Sequence, residues 1–409
     1  MSPSSPVGQP SAWVTIVVVG QIAFGMLAMT LCLPSMMDWP RLFDARQSSV
    51  QLTFSAFVAS YGGMQVVWGP LADRIGRKPV LLIGLAIAFV GALIAVVAPS
   101  LPVLIVARVL QGAGSAAGMA VGRALVQDLF GPAERTRVMA WAGMTTGMCP
   151  PAATLLGGQL HVRWGWQSNF VLLAAITAAL LVAAWRTLPA DSAVRRALPG
   201  AGGGWTTVAA AYVQLARTPG FLAFACIAAL ASAAFYTYLG GGPIVLARYG
   251  VTPERIGWYI ATPPMAFMVG NVMTIRLVRV MSDRRLMWLG QSLTLISLLI
   301  ALALAVFGPP HPLALSLPLI LFGLGHGLLM PPTLSGTVAL VPALAGSAAA
   351  AAGLLQQLGG AVASYLVGLV PHQSSVNLVL LMLAWTSLIF LCLALLRRLR
   401  QRLVARPAG

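Results

Sequence analysis

Gly69-Pro-Leu-Ala-Asp-Arg-Ile-Gly-Arg-Lys-Pro79 lies between two long apolar runs that are almost free of charge. Gly69, Gly76 and Pro79 prevent the two flanking helices from continuing as one. The pattern therefore predicts a short hairpin that holds charge at a membrane surface and joins two membrane-spanning helices. Its ionisable side chains are Asp73, Arg74, Arg77 and Lys78.

The composition of the whole chain agrees with this interpretation. Of its 409 residues, 59% are hydrophobic and only 8% are charged, and the mean hydropathy is +0.88, whereas soluble domains carry roughly 25% charged residues. Apolar runs of about 20 residues fit helices that cross a hydrocarbon core about 30 Å thick. We predict an all-α polytopic membrane protein with twelve spans, at residues 13–36, 49–69, 80–98, 102–124, 138–159, 168–188, 219–246, 256–276, 286–307, 314–338, 347–370 and 376–396.

The distribution of positive charge predicts the orientation. Most of the 25 lysines and arginines fall at alternate links, including the Gly69–Pro79 hairpin and the C-terminal tail. The positive-inside bias then places both termini and the hairpin on the cytoplasmic side of a bacterial inner membrane. The links on the other side hold only Arg41, Arg46, Arg163, Arg248 and Arg255.

A polar interval after the sixth span divides the chain into two halves. It contains Gly200 to Gly204 and suits a cytoplasmic linker at 189–218, in which 205–215 is predicted as an amphipathic helix at the membrane interface. Two sets of six spans are typical of secondary transporters that bind substrate at the midplane between the halves. The predicted segments are an N-terminal tail at 1–12, six-helix bundles at 13–188 and 219–396, and a basic tail at 397–409.

Several motifs resemble those of a known family. The Gly69–Pro79 stretch resembles the signature loop between spans two and three of the major facilitator superfamily. Arg108-x-x-Gln111-Gly112 resembles a second signature, found in its proton-driven members, and Gly157-Gly158 resembles a third, found in its exporters. Leu33-Pro34, the run 123–128 and the run 235–259 resemble the Bcr/CflA group of bacterial multidrug exporters. The resemblance implies two pseudo-symmetric six-helix bundles and proton-driven export.

The resemblance also implies a conformational switch at the hairpin. Asp73 is expected to face the N-terminus of a helix in the second half, and Arg77 to pair with Asp128, so that these charges close the cytoplasmic side in one state. The alternative is a basic loop that only fixes topology. The expected switch residues are Gly69, Asp73, Arg74, Gly76, Arg77, Lys78 and Asp128.

Arg108 lies inside an apolar span, where a cation costs about 2.5–3.5 kcal/mol and needs partners. It shares a helix face with Gln111, which favours a role in coupling or substrate binding; the alternative is a structural cation bonded to backbone carbonyls. All eight acids fall at loops or span ends, and relatives carry an acid in span one where this chain has Thr30. The remaining candidates for the coupling proton are Asp38, Asp128 and His326.

The fifth predicted span has the features of a bent gating helix, because small residues allow close packing and prolines remove backbone hydrogen bonds. These residues are Gly143, Gly147, Pro150, Pro151, Gly157 and Gly158. Flexible and aromatic side chains are expected to line a central cavity, where such surfaces adapt to varied ligands. The candidates are Met26, Met29, Met144, Phe235, Tyr236, Tyr238, Asn271, Gln356 and Gln357.

The predicted function is proton-driven export of small organic compounds by alternating access. The alternatives are a dedicated exporter of a hydroxamate siderophore and an uptake permease. The sequence contains no enzyme-like cluster of nucleophiles or metal ligands and no phosphate-binding loop. We therefore expect no cofactor, no metal and no nucleic-acid partner. The expected partners are the lipid bilayer, protons and a small-molecule substrate, and the expected oligomeric state is a monomer. Arg108 and His326 favour a neutral, zwitterionic or anionic substrate such as a chloramphenicol-like drug.

Overall fold

The computed structural model describes residues 12–189 and 205–404, in which all regular structure is helical. Each of the twelve predicted spans corresponds to a long helical segment. Residues 1–11, 190–204 and 405–409 lie outside the described residues, and with them most of the predicted N-terminal tail, the first half of the predicted linker and the end of the predicted basic tail. The segments are α1 (Ala12–Thr30), α2 (Gln47–Ile75), α3 (Arg77–Val96), α4 (Leu101–Leu129), α5 (Pro132–Trp164), α6 (Gln167–Thr187), α7 (Pro219–Arg248), α8 (Pro253–Ile260 and Thr262–Leu277), α9 (Asp283–Phe307), α10 (Leu319–Ala339), α11 (Ala345–Val367) and α12 (Val376–Val404).

Shorter helices lie in the links. A 3-10 helix, Leu33–Met37, follows α1, so the first span is not one continuous α-helix to residue 36 as predicted. The helix Trp205–Ala216 occupies the end of the linker, where an interfacial helix is predicted. α12 continues to Val404, so the first part of the predicted basic tail is helical.

The Gly69–Pro79 stretch makes its turn at a single residue. Gly76 has φ 110°, a backbone conformation that favours glycine, and its N–H donates to the carbonyl oxygen of Ala72 at 3.1 Å. α2 therefore ends at Ile75 and α3 begins at Arg77. The charged side chains of the stretch are held on two helix ends and not on a loose loop.

Nine helical segments of the described residues are long and apolar enough to cross a membrane by composition alone. The other three long segments are α2, α5 and α8. These three form the contact between the two halves, since α2 packs against α11 and α5 packs against α8. α2 and α5 need less apolar character because part of their surface faces protein and not lipid. α8 is absent from the nine because a break at Ala261 divides it into two shorter helices.

The halves meet at one end of the bundle and separate at the other. At the end remote from the Gly69–Pro79 hairpin, called here the distal end, a Cβ added at Gly158 would overlap the carbonyl oxygen of Pro253, and Gln51 Nε2 donates to Gly240 O at 2.9 Å. At the hairpin end, called here the basic end, several glycines of α2, α5 and α11 face open space. A Cβ added at any of these would meet no atom within 4 Å: Gly69, Gly143, Gly346 and Gly353.

Candidate functional site

A cavity of about 710 Å³ lies between the two halves. Its wall is formed by α1, α4 and α5 from the first half and by α7, α8 and α10 from the second. On α5 the lining residues run from Met139 to Pro150, and on α8 from Pro263 to Ile275. These stretches lie on the basic side of the Gly158–Pro253 contact, so the cavity is closed distally and opens toward the basic end.

The wall is mainly apolar and is rich in methionine and phenylalanine. Its methionine and phenylalanine side chains are Met26, Met119, Met139, Met144, Met268, Met330, Phe235, Phe267 and Phe322. Polar groups are few: Arg123, Thr146, Ser232, Asn271 and His326. Among the described lining residues none is acidic, so the wall carries the positive charge of Arg123 and one titratable imidazole.

His326 lies on this wall in α10 and is only 5% exposed. Its Nε2 lies 2.9 Å from the carbonyl oxygen of Ala231 in α7. Because a carbonyl oxygen only accepts, Nε2 carries the hydrogen, and the Phe322 ring covers the imidazole with centroids 4.2 Å apart. Nδ1 has no hydrogen-bond partner in the described part of the chain. The neutral ring therefore presents a buried, unused acceptor.

Arg108 is placed differently from the prediction that it binds substrate. It is fully buried within the first half and does not line the cavity. Its guanidinium donates to the carbonyl oxygens of Ala28 at 3.0 Å and Met29 at 3.3 Å, and to Gln111 Oε1 at 2.8 Å. It also lies 4.2 Å from the centre of the Phe57 ring. These contacts with the carbonyls at the end of α1 are those expected of a structural cation, and a role of Arg108 in coupling stays a prediction.

The charges of the hairpin are paired within the first half. Arg77 lies 3.2 Å from Asp128 and 2.5 Å from Asp73, and Lys78 Nζ donates to Leu188 O at 2.6 Å. Among the described residues, the expected contact between Asp73 and a helix of the second half is not made, because the halves are apart at the basic end. Asp73 turns instead to Arg77 on its own half.

Asp38 and Thr30 also lie away from the cavity wall. Asp38 pairs with His161, with 2.8 Å between Oδ2 and Nε2, at the distal end of the first half. The Thr30 hydroxyl donates to Met26 O at 2.9 Å inside α1, as a buried threonine commonly does. His161 was missed by sequence reasoning, because nothing along the chain links positions 38 and 161.

The predicted residues of α5 divide between two environments. Gly143, Gly147 and Pro150 line the cavity, whereas Gly157 packs on Leu31 O within the first half and Gly158 packs on the second half. The helix runs unbroken through both prolines from Pro132 to Trp164.

Of the predicted cavity residues, the structure brings Met26, Met144, Phe235 and Asn271 to the wall. Tyr238 and Gln357 do not line it, because their polar groups join helices elsewhere. The Tyr238 hydroxyl donates to Tyr259 O at 2.9 Å, and Gln357 Oε1 accepts from the Tyr236 hydroxyl at 3.0 Å. Three further candidates are also absent from the wall: Met29, Tyr236 and Gln356.

Sequence reasoning assigned Arg123 to a basic link and missed it as a wall residue. A usable signal exists, since Met119 and Arg123 are four positions apart and so share a helix face in α4. That face carries the cation of the cavity.

Comparison with known proteins gives a consistent result. The profile described as Major Facilitator Superfamily matches residues 15–364. The chain is 30% identical over 377 residues to "Multidrug resistance protein D" of Escherichia coli (strain K12), covering 91% of this chain and 92% of that protein. It is 28% identical to a "Chloramphenicol resistance protein" of Pseudomonas aeruginosa, covering 59% of this chain and 56% of that protein.

The fold matches solved structures as well. A bacterial homologue of the human lysosomal transporter Spinster, solved in an inward-facing and occupied conformation, superposes with a TM-score of 0.77. The two chains are 15% identical, and the match covers 97% of this chain and 98% of the other.

Proposed function

The chain belongs to the major facilitator superfamily, and from this premise we propose that it is a proton-driven exporter of small drug-like compounds. It is a multi-pass membrane transporter and not an enzyme. Export is supported by relatives that are named for multidrug and chloramphenicol resistance. The protein acts as a monomer in this proposal, with the proton gradient as its energy source and no cofactor.

The observation that carries the proposal is the cavity between the halves. Its volume of about 710 Å³ lies within the range of pockets that bind drug-sized ligands. Methionine and phenylalanine side chains re-pack around ligands of different shape, which suits a transporter of several compounds. The few polar groups on the wall orient a ligand without demanding one arrangement of hydrogen bonds.

The predicted orientation is compatible with export. With the basic end in the cytoplasm by the positive-inside bias, the cavity is open to the cytoplasm and closed distally. An exporter takes up its substrate in this state, and closure at the basic end with opening at the distal end would release it outside.

The charge on the wall supports a neutral, zwitterionic or anionic substrate. A quaternary ammonium compound would bury its charge near Arg123 without a carboxylate among the described wall residues. An acidic or hydrogen-bonding group would instead find Arg123 and Asn271 on the wall.

His326 is the group that we propose for proton coupling. It is a titratable side chain on the cavity wall, and imidazole changes charge near neutral pH. A proton on Nδ1 adds a positive charge to the wall beside the substrate. For a substrate without net negative charge, binding of the proton and binding of the substrate would then oppose each other, as an antiporter requires.

The test is transport in inside-out membrane vesicles with an imposed pH gradient. Radiolabelled chloramphenicol should accumulate when the lumen is acidic and stop accumulating when a protonophore collapses the gradient. Accumulation that instead follows the reversed gradient identifies an uptake permease. Ethidium transport without chloramphenicol transport contradicts the charge argument while leaving export itself intact.

A further inference from the structure

The two halves differ at one corner of the basic end. In the first half, α3, α4 and α6 meet at a corner closed by charges of the chain itself: Arg77 pairs with Asp128 at 3.2 Å, and Lys78 Nζ donates to Leu188 O at 2.6 Å. Arg77 and Lys78 begin α3, and Asp128 is the penultimate residue of α4. The corner is therefore self-sufficient.

The corresponding corner of the second half, between α9, α10 and α12, is a pocket of about 310 Å³. Asp283 and Arg284 begin α9, whereas α10 ends at Ala339 with no acid in its last turn. α12 adds Arg397. Within the described residues, neither Arg284 nor Arg397 has an ion pair or hydrogen bond. The counterpart of Asp128 is missing.

The floor of this pocket is apolar. Phe224, Met287 and Leu393 are buried in one cluster beneath it, with Trp288 and Leu396 packed against the cluster. Charged groups thus lie at the rim and hydrocarbon below, at the end of the bundle where helices leave the membrane. Tryptophan is common at that depth. A purely polar anion would leave the floor uncovered, whereas an amphiphile covers both parts.

We propose that this corner binds an anionic phospholipid, with its phosphate between Arg284 and Arg397 and one acyl chain along the floor. Guanidinium groups bind phosphate through paired hydrogen bonds, and the phosphate would also lie at the N-terminus of α9. Asp283 lines the pocket too, so the rim carries two positive charges and one negative charge. One phosphodiester would make this corner neutral. In the first half, the carboxylate of Asp128 offsets part of the positive charge in the same way.

Native mass spectrometry of the purified protein in detergent tests this, with dioleoylphosphatidylglycerol as the titrated lipid. The double variant Arg284→Gln/Arg397→Gln should bind the first lipid about 30-fold more weakly, which corresponds to about 1 kcal/mol for each arginine. The matched control, Arg276→Gln/Arg279→Gln, removes the same charge from exposed positions of the same end that do not line the pocket. Equal weakening in both variants, or in neither, would overturn the proposal.

A second variant tests the comparison between the halves directly. Ala339→Asp places a carboxylate on the pocket wall near the end of α10, where the first half has Asp128. It should abolish binding of the first phosphatidylglycerol while keeping the wild-type melting temperature, because the new carboxylate pairs with Arg284. Unchanged lipid binding in this variant contradicts the proposal. Displacement of the lipid by inorganic phosphate at equal concentration also contradicts the proposal, since the site then binds a free anion as well as a lipid. Equally tight binding of phosphatidylcholine contradicts it too, since the site then does not distinguish an anionic lipid from a zwitterionic one.

Discussion

Replacing Gly158 by valine should shift the transporter away from the state that is open at the basic end. A Cβ at this position would lie 2.9 Å from the carbonyl carbon of Pro253 and 3.1 Å from Cα of Glu254, closer than ordinary van der Waals contact. Both atoms belong to the backbone of the other half, so no side-chain rotation relieves the overlap. α5 and α8 must separate at the distal end. Overpacking of this kind costs about 1–3 kcal/mol, which lowers the ratio of distally closed to distally open molecules by roughly 5–150-fold.

The assay is the rate of maleimide labelling of Leu334→Cys, in purified protein whose accessible Cys226 and Cys392 are replaced by alanine. Leu334 lines the cavity near the basic end and is 39% exposed here, so closure of that end should bury it. Gly158→Val should slow labelling in proportion to the fraction of molecules that leave the state open at the basic end. Gly131→Val is the control, since Gly131 does not line the cavity and a Cβ there meets no atom within 4 Å. Unchanged labelling in a Gly158→Val protein of wild-type melting temperature would refute the reasoning.

The neighbouring Gly157 separates gating from folding. A Cβ at Gly157 would overlap Leu31 O, which belongs to the same half. Gly157→Val should therefore lower the melting temperature, because separating the halves does not relieve its overlap. If Gly157→Val and Gly158→Val both slowed labelling to a similar extent without loss of stability, the contact between α5 and α8 would not be the cause of the slower labelling.

Four further predictions concern single side chains. His326→Gln should abolish proton-driven accumulation, for which one proton at 100 mV supports about a 50-fold gradient, while substrate exchange without a gradient continues in vesicles. Arg108→Lys should lower the free energy of unfolding by about 1.5–3 kcal/mol per charged hydrogen bond lost, measured by chemical denaturation, yet leave the panel of exported drugs unchanged. Asp128→Asn should slow turnover but not weaken equilibrium substrate binding, because the Arg77 pair lies off the cavity wall. Burial lowers the pKa of His372, in the link after α11. The stability that its neutral form contributes is present above about pH 6.5 and is lost as pH falls through the lowered pKa. The melting temperature should therefore fall less between pH 7.5 and pH 5 in His372→Gln than in the wild type.

Much of the fold follows from the sequence because lipid imposes a simple rule on composition. Uninterrupted apolar runs must be helices, and the positions of Gly76 and the polar interval after the sixth span fix where helices end and halves divide. The exceptions are instructive. α2 and α5 are less apolar than the nine other long, continuous segments. The structure gives the physical reason, since these helices contact protein across the interface of the halves.

The site is less predictable, because a residue inside a membrane span can either pack within its own bundle or face the central cavity. Arg108 and Arg123 both lie in α4, and the sequence favours the former because it is deeper in an apolar run. Depth along the helix does not reveal direction around it. Arg108 turns toward the carbonyls of Ala28 and Met29, whereas Arg123 turns toward the cavity. Only the position of α1 beside α4 distinguishes a cation that is satisfied by the chain from one that is offered to a ligand.

The open end of the cavity is hidden from the sequence for a related reason. Gly143, Gly147 and Gly158 are similar signals along α5, and each predicts close helix contact. In this structure Gly158 makes such a contact, and Gly143 faces open space. Gly147 is intermediate, since a Cβ added there would lie 3.4 Å from the Met268 side chain. Alternating access requires one chain to form a distal contact in one state and a basic contact in the other. The sequence must therefore encode both interfaces at once. The close contact at Gly158 and the open space at Gly143 show that the distal interface is the one formed here.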